Sequence, residues 1–463
     1  MGPASWPVRL TSEAAGCLEG TIRLADTIPS LGEGRWTREE VLAEGVRRHG
    51  EWTTVAGVTD APGRGGRALP FVLTMPHAPA DGLALRVFLH GYRGSLTAPV
   101  LDDLARLAVT DPEDTYWWGE GAGGQSVATP TTALRVLAIA DWVLRQEPRL
   151  DPRGLHVAGS SMGGAGAVTL GMLYPHRFAW VLATLGQHVP AAHRPARVRQ
   201  LERLWGPRGE PARVDRNGPW GWQDLTLRWA EDPELRDLPM VFHHGLDDPI
   251  IHFGAVALPS PLSGESVAVA GTRQAASRWM AWDESGHGPT DPSLPPEWWL
   301  EGWDPGARFQ IGRPHPVVVA ASTDGDPGSG RGNGRVPWHV DRGFAGDVTV
   351  VGDTGWQADR RGTLGHGLHW QAERQVDEVH AWSACLWSDE PVTDARVAPR
   401  RTRRAAWSEG DRVRWQWVPR GGNDPTAEGE VLVDERGVPV AGPFSVDPAG
   451  GDLTIFTVRP PRP

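Results

Sequence analysis

The sequence predicts an α/β protein: a mostly parallel central sheet with helices on both faces, followed by a small all-β domain of sandwich type. Three observations predict it. Short apolar runs suited to buried strands alternate with helical patterns between residues 69 and 280. One of these runs, residues 155–158, breaks at Gly159-Ser160-Ser161-Met162-Gly163, and a helix-forming segment over 165–173 follows. Beyond residue 337 the pattern changes to short strand-like runs separated by turns.

Length and composition bound the answer. A chain of 463 residues is too long for one ordinary domain, and 40% hydrophobic content suffices for real cores. The division expected is 1–312, carrying an extension over 1–68 and a cap-like insertion over 188–237, then a linker over 313–337 and the β domain over 338–463. The formal charge of -11 argues against a nucleic-acid partner. All 46 basic residues are arginine, so an arginine cluster by itself marks no anion site. Cys17 and Cys385 stand too far apart to suggest a disulfide framework or a metal-ligand spacing. No run approaches the roughly 20 apolar residues of a membrane span. No signal peptide is visible, and localisation and oligomeric state stay open.

Taken in order, residues 37–49 read as a short helix, with Thr37 as N-cap and Glu40 at the capping-box position. Residues 69–75 and 83–89 read as strands, and the second ends in His90-Gly91-Tyr92-Arg93-Gly94. A loop rich in aromatic residues and glycine begins at Asp114 and contains Trp117 and Trp118. Residues 131–145 form an amphipathic helix, and Asp151-Pro152-Arg153 a turn before the strand at 155–158. Residues 180–185 form the next buried strand. The insertion at 188–237 is rich in Pro, Arg, Gly and Trp, with Trp205, Trp220 and Trp222 among its aromatics. Another strand covers 238–242, and 271–280 reads as helical. In the C-terminal part, strands are expected at 347–351, 378–386, 396–399, 412–418, 430–433 and 453–458.

The chemistry gathers on three loops. Ser161 sits between a strand and a helix in a G-x-S-x-G setting, where only small neighbours permit a strained turn that presents the hydroxyl. The backbone N–H of Met162 then faces any oxyanion forming at a carbonyl under attack. His244-Gly245-Leu246-Asp247-Asp248-Pro249 follows a late strand and offers a carboxylate, with the register favouring Asp248 over Asp247. His287 lies between Gly286 and Gly288 in a loop, uncrowded and free to act as a base. The order Ser161, Asp248, His287 is the nucleophile–acid–base order of one hydrolase fold and differs from the chymotrypsin and subtilisin orders.

With these residues assembled, the first two-thirds resembles the α/β-hydrolase superfamily. The nearest groups are feruloyl esterase and polyhydroxybutyrate depolymerase relatives, and prolyl-oligopeptidase-like hydrolases. The resemblance rests on F-L-H-G-Y at 88–92, G-S-S-M-G-G-A at 159–165, Y-P-H-R-F-A at 174–179, H-G-L-D-D-P-I-I at 244–251 and S-G-H-G at 285–288. It implies a serine hydrolase acting on small or polymeric carboxylic esters without cofactor or metal. Ser161, Asp248 and His287 would be its triad, and the Tyr92 and Met162 N–H groups its oxyanion hole. Tyr92, Trp117, Trp118 and Trp220 are the expected substrate contacts. The C-terminal part resembles the small β modules appended to some bacterial hydrolases, through V-A-P-R-R at 397–401 and E-G-D-R-V-R-W at 409–415. Two other readings stand beside the esterase: a peptidase on the same fold, and a non-catalytic glycan-binding protein.

Overall fold

The computed structural model describes residues 5–12, 15–23, 31–61, 63–77, 82–97, 99, 101, 104–119, 130–208, 218–288, 309–328 and 358–458, the first two segments as backbone alone. Strands β1 (Ser5–Ser12) and β2 (Ala15–Arg23) pair with each other as an antiparallel hairpin. A ten-stranded mixed sheet follows. Its strands are β3 (Glu33–Val41), β4 (Gly45–Thr53), β5 (Ala68–Pro76), β6 (Leu83–Leu89), β7 (Leu104–Val109), β8 (Leu150–Ser160), β9 (Trp180–Thr184), β10 (Met240–Gly245) and β11 (Arg278–Asp283). Past β12 (His315–Ala320), the short β13 (Gly362–Leu364) adds itself antiparallel to β11 as the tenth. The order across the sheet is β13-β11-β10-β9-β8-β6-β7-β5-β4-β3. The block from β7 through β6 to β11 is parallel, so the carboxyl ends of those strands, with their loops, share one edge.

The helices are α1 (Thr131–Gln146), α2 (Met162–Leu173), α3 (Pro195–Trp205), α4 (Pro219–Trp222), α5 (Leu225–Glu231), α6 (Pro233–Arg236), α7 (Gly254–Ala257) and α8 (Val267–Arg273). Alternation along the parallel strands separates two cores. Val87, Leu89, Val157, Val181, Phe242 and Met280 face one side and share a cluster with side chains of the helices. Ala158, Leu182, Val241, Trp279 and Ala281 face the other.

That second face differs from expectation. Helices were expected on both faces, yet the described α-helices contribute to the first cluster and none to the second. The second face is covered by the C-terminal β domain. Strands β14 (His369–Trp370), β15 (Val376–Glu378), β16 (Ala381–Trp387), β17 (Val392–Arg400), β18 (Arg412–Pro419), β19 (Ala427–Leu432), β20 (Ala441–Val446) and β21 (Gly451–Thr457) build two antiparallel sheets. One has the order β12-β17-β20; the other has β14-β16-β21-β18-β19, with β15 on β16. Val397 and Phe444 of the first sheet and Trp382, Trp415 and Ile455 of the second share one core, as a sandwich requires. Trp279 of β11 stacks on Trp370 of β14 at 6.2 Å, so this core is continuous with the central sheet.

Several local expectations are corrected. Residues 37–49 are not a helix but most of the β3–β4 hairpin. Thr37 and Glu40 spend their polar atoms across the hairpin: the Thr37 hydroxyl donates to the His49 carbonyl at 3.2 Å, and Arg47 Nη1 lies 3.4 Å from Glu40 Oε2. The Glu39–Arg48 pair, at 2.6 Å, does the same. Charges three or four apart suit a helix face, but here strand pairing with β5 decides. The helix expected over 271–280 ends at Arg273; Ala275 turns at φ 45°, and β11 follows, buried on both faces and therefore without polar alternation. Asp151-Pro152-Arg153 lies within β8 rather than in a turn. In the stretch expected as linker, residues 315–320 are β12, paired with β17. The strand expected at 347–351 lies outside the described residues.

The interior holds titratable groups with a consequence for stability. His156, His188, His193 and His315 are fully buried, and burial holds each well below its ordinary value, with neighbouring cationic or imidazole charge adding to the effect. These rings are neutral when folded and take up protons when unfolded. Their stabilising contribution is complete above the ordinary histidine value of about 6.5 and is lost as pH falls below it. The melting temperature should therefore decline between about pH 7.5 and 5.5, before most carboxylates titrate. A flat profile over that interval in a calorimetric pH series would contradict it.

Candidate active site

The site is built on the edge where the parallel strands end. β8 runs into Ser161, whose backbone is φ 59°, ψ -122°, and α2 begins at the next residue. A non-glycine residue in such a conformation carries strain of about 1–3 kcal/mol. The turn closes only because its neighbours lack side chains. A Cβ on Gly159 would meet the Gly163 carbonyl carbon at 2.3 Å, and one on Gly163 would meet the Leu89 oxygen at 2.0 Å. Gly163→Ala should therefore destabilise the protein by about 3 kcal/mol or more, because the obstacle is backbone. It should also lower turnover, since Leu89 leads into the 90–94 loop. Thermal unfolding and initial rates together check this; a wild-type melting temperature would refute it.

Ser161 is the first member of a hydrogen-bonded row. His287 Nε2 lies 2.8 Å from Ser161 Oγ, and His287 Nδ1 lies 2.7 Å from Asp248 Oδ2. Asp248 accepts only, so Nδ1 donates to it and Nε2 is left to accept from the serine hydroxyl. The other carboxylate oxygen, Asp248 Oδ1, accepts the N–H groups of Ile250 at 2.7 Å and Ile251 at 2.9 Å. Asp248 is completely buried, whereas the His287 side chain is 23% exposed. Asp247 instead donates its backbone N–H to the Ser285 carbonyl at 3.0 Å. His244 also approaches Asp248, at 3.7 Å, but its Nε2 donates to the Ile251 carbonyl at 2.7 Å. Burial lowers its proton affinity despite the nearby Asp248 charge, which leaves that charge for His287.

The segments carrying the N–H groups of Met162 and Tyr92, the donors expected from the sequence, adjoin Ser161. The Ser161 N–H is committed to the Thr184 carbonyl at 2.9 Å. Met162 is the first residue of α2, where N–H groups have no intrahelical acceptor and the helix dipole is positive. The 90–94 loop adjoins on the other side: a Cβ on Gly91 would lie 3.7 Å from Ser161 Cβ. Tyr92 follows, 42% exposed.

The loop 111–119 holds the 90–94 loop in place, a feature the sequence reading missed. Arg93, at φ 53°, donates its N–H to Asp114 Oδ1 at 2.8 Å. The Asp111 N–H donates to His90 Nε2 at 3.0 Å, so His90 carries its proton on Nδ1 and donates to the Gly91 carbonyl at 2.8 Å. The Asp111 carboxylate gathers the N–H groups of Thr115 and Trp117 at 2.7 and 3.1 Å. Asp114, Tyr116 and Trp117 all have positive φ, strain that this carboxylate sustains. The only prior signal was the unusual D-T-Y-W-W-G composition.

The expected tryptophan contacts are corrected. Trp117, Trp118 and Trp220 are 0%, 1% and 2% exposed. Trp117 packs on α2, where a Cβ on Gly166 would lie 2.2 Å from its ring. The Trp220 indole donates to the Gly206 carbonyl at 3.3 Å and meets Trp205 edge-on at 5.4 Å. These rings fill the core, where their large apolar area stabilises most. Of the aromatic residues expected to meet substrate, only Tyr92 presents surface.

Within the stretch expected as an insertion, the start of α3 ties two loops of the site together. At the start of α3, Arg194 donates to the Pro249 and Ile250 carbonyls in the loop bearing Asp248. One turn later Arg197 donates to the Tyr116 hydroxyl in the loop 111–119. Among the described residues, no three His, Cys, Asp or Glu side chains converge as a metal site, and no helix is long and apolar enough to cross a membrane.

The strand order, the elbow after β8 and the strand-end loops make this an α/β-hydrolase fold. Residues 138–283, which include Ser161 and Asp248, match the family model described as "Putative esterase". No curated protein matches the chain. Among solved structures, an S-formylglutathione hydrolase from Agrobacterium tumefaciens is similar at 12% identity, over 55% of this chain and 92% of that one, with a TM-score of 0.37. An acetyl xylan esterase from Paenibacillus sp. R4 is similar at 16% identity, over 57% and 85%, with a TM-score of 0.37. An acylaminoacyl peptidase from Pyrococcus horikoshii is similar at 12% identity, over 59% of this chain but 40% of that one, with a TM-score of 0.38.

Proposed function

We propose, from an α/β-hydrolase fold with an esterase-family segment, that this serine hydrolase cleaves carboxylic esters through an acyl-enzyme on Ser161. The observation that carries the proposal is His287, held within hydrogen-bond distance of Ser161 Oγ by one ring nitrogen and of buried Asp248 by the other. Ser161 Oγ attacks the acyl carbonyl carbon while His287 Nε2 takes its proton. The carbonyl oxygen becomes an oxyanion, facing the Met162 and Tyr92 N–H groups. Asp248 stabilises the imidazolium. When the tetrahedral intermediate collapses, the ester C–O bond breaks and His287 returns the proton to the departing alcohol. Water then enters, gives a proton to His287 and attacks the acyl carbon; release of the acid restores the Ser161 hydroxyl.

The family match favours an ester over an amide as the bond cleaved. Tyr92 would line the mouth, and α3 would bound the site. The test is hydrolysis of p-nitrophenyl acetate, butyrate and octanoate beside a panel of peptide p-nitroanilides. Turnover of the short esters is expected, with the anilides slower by orders of magnitude. A folded protein that is silent on all three esters and cleaves an anilide would replace this proposal with the peptidase reading.

A further inference from the structure

We infer that the buried His243–Asp283 pair is a positioning device, which keeps the loop carrying His287 in register with the loop carrying Asp248 and so sets kcat without touching substrate. The inference rests on the serine-hydrolase reading above. His243 lies on β10 and Asp283 ends β11, its parallel neighbour. Each strand leads directly into one of the two loops, β10 into residues 246–251 and β11 into 284–288.

His243 Nε2 stands 3.1 Å from Asp283 Oδ2, with the side chains 0% and 1% exposed. The other oxygen, Asp283 Oδ1, accepts the Ser285 N–H at 2.9 Å, two residues before His287. One carboxylate thus joins a side chain of the Asp248 strand to the backbone of the His287 loop. Backbone contacts complete the clamp. The Leu246 N–H donates to the Asp283 carbonyl at 2.8 Å, and the Asp247 N–H to the Ser285 carbonyl at 3.0 Å. Gly245 allows that approach, since a Cβ there would lie 2.2 Å from the Ser285 oxygen.

Burial alone would raise the Asp283 carboxyl, but its hydrogen bonds with His243 and Ser285 hold it well below the usual carboxylate range. It therefore accepts as a full charge, the stronger kind of hydrogen bond. The pair shares its sheet face with Val241, Trp279 and Ala281, beneath the β domain. Apolar residues in that volume would stabilise the sheet as well or better, so stability is a weak reason for a buried pair and register the better one. The His287 imidazole must meet both partners at once, and a shift of about 1 Å in such a group can cost about 100-fold in rate.

The experiment compares Asp283→Ala and Asp283→Asn with wild type in the full chain. Three quantities are read: kcat and KM on p-nitrophenyl butyrate, active-site concentration by fluorophosphonate titration, and the low-field proton resonance of the His287–Asp248 hydrogen bond. Asp283→Ala should lower kcat per titrated site about 10- to 100-fold with KM within about twofold, and should shift or erase the resonance. Asparagine keeps an acceptor for Ser285 N–H and offers its NH2 to a His243 ring whose proton has moved to Nδ1, so it should recover most of the rate. Unchanged kcat per site and an unchanged resonance in folded Asp283→Ala overturn the inference. If that variant does not fold, His243→Gln, which retains an N–H donor, is set against His243→Leu; equal kcat in the two overturns it. The resonance needs no substrate, so its loss in a chain inactive on esters would sink the function and leave the clamp standing.

Discussion

Ser161→Ala should lower kcat on p-nitrophenyl butyrate by about 10^5-fold while leaving the fold intact. The expected loss is large because, in the mechanism proposed above, the serine, His287 and Asp248 act as one unit, and without the nucleophile only oxyanion stabilisation and binding would remain. Stability should behave differently. Alanine keeps the Cβ of serine, so the strain of φ 59° at position 161 persists, and only the 2.8 Å contact with His287 is lost. Ser161→Gly removes the strain as well. It should melt higher than Ser161→Ala, by an amount corresponding to about 1–2 kcal/mol. Initial rates and thermal scans of the three proteins decide both points. A Ser161→Ala protein with more than a hundredth of wild-type turnover, free of contaminating esterase, would remove Ser161 from the mechanism.

How much of this was legible in the sequence depends on how local the governing physics is. The elbow is legible because its steric demands fall within five residues: Gly159 and Gly163 must lack side chains for Ser161 to turn. Asp248 was preferred to Asp247 on the H-G-x-x-D register followed by Pro-Ile-Ile, and in the structure its Oδ1 accepts the N–H groups of Ile250 and Ile251. The roles of Asp111 and Asp114 were not legible. Their partners are backbone N–H groups up to 21 residues away, and nothing in residue type declares that. The tryptophans misled for a related reason. An aromatic residue suits a cleft and a core equally, and only the packing of Trp117 on Gly166 decides. The β3–β4 hairpin shows the same ambiguity in charges: Glu39, Glu40, Arg47 and Arg48 pair across strands with residues that would also decorate a helix. The cover of the second sheet face was least legible. Trp180, Val241 and Trp279 announce that they will be buried, but not that strands from the far end of the chain will bury them.

That cover leads to the second large effect: residues 1–312 expressed alone should fail to form a stable domain. The β domain covers that face where no described helix does, and its Trp370 meets Trp279 at 6.2 Å and Phe309 at 5.6 Å between ring centroids. Truncation would expose Trp180, Leu182, Val241, Trp279 and Ala281 together. At about 1.5–3 kcal/mol for each large side chain, the loss reaches the roughly 5–15 kcal/mol that holds a domain folded. Polar ties would go too. Arg400 donates to the Gln274 and Ala275 carbonyls at 2.7 and 2.9 Å, just before β11. Arg401 donates to the Phe178 and Ala179 carbonyls at 2.7 and 2.8 Å, just before β9. The Ser277 hydroxyl and His315 Nε2 meet at 2.7 Å, and β11 would lose β13 and become a sheet edge. Since β11 leads into the His287 loop, the damage would reach the site. The expected protein aggregates or unfolds without cooperativity, and its esterase activity is absent. Limited proteolysis and calorimetry of 1–312 beside the full chain test this: a soluble fragment with a sharp transition and undiminished activity would show the β domain to be a dispensable attachment.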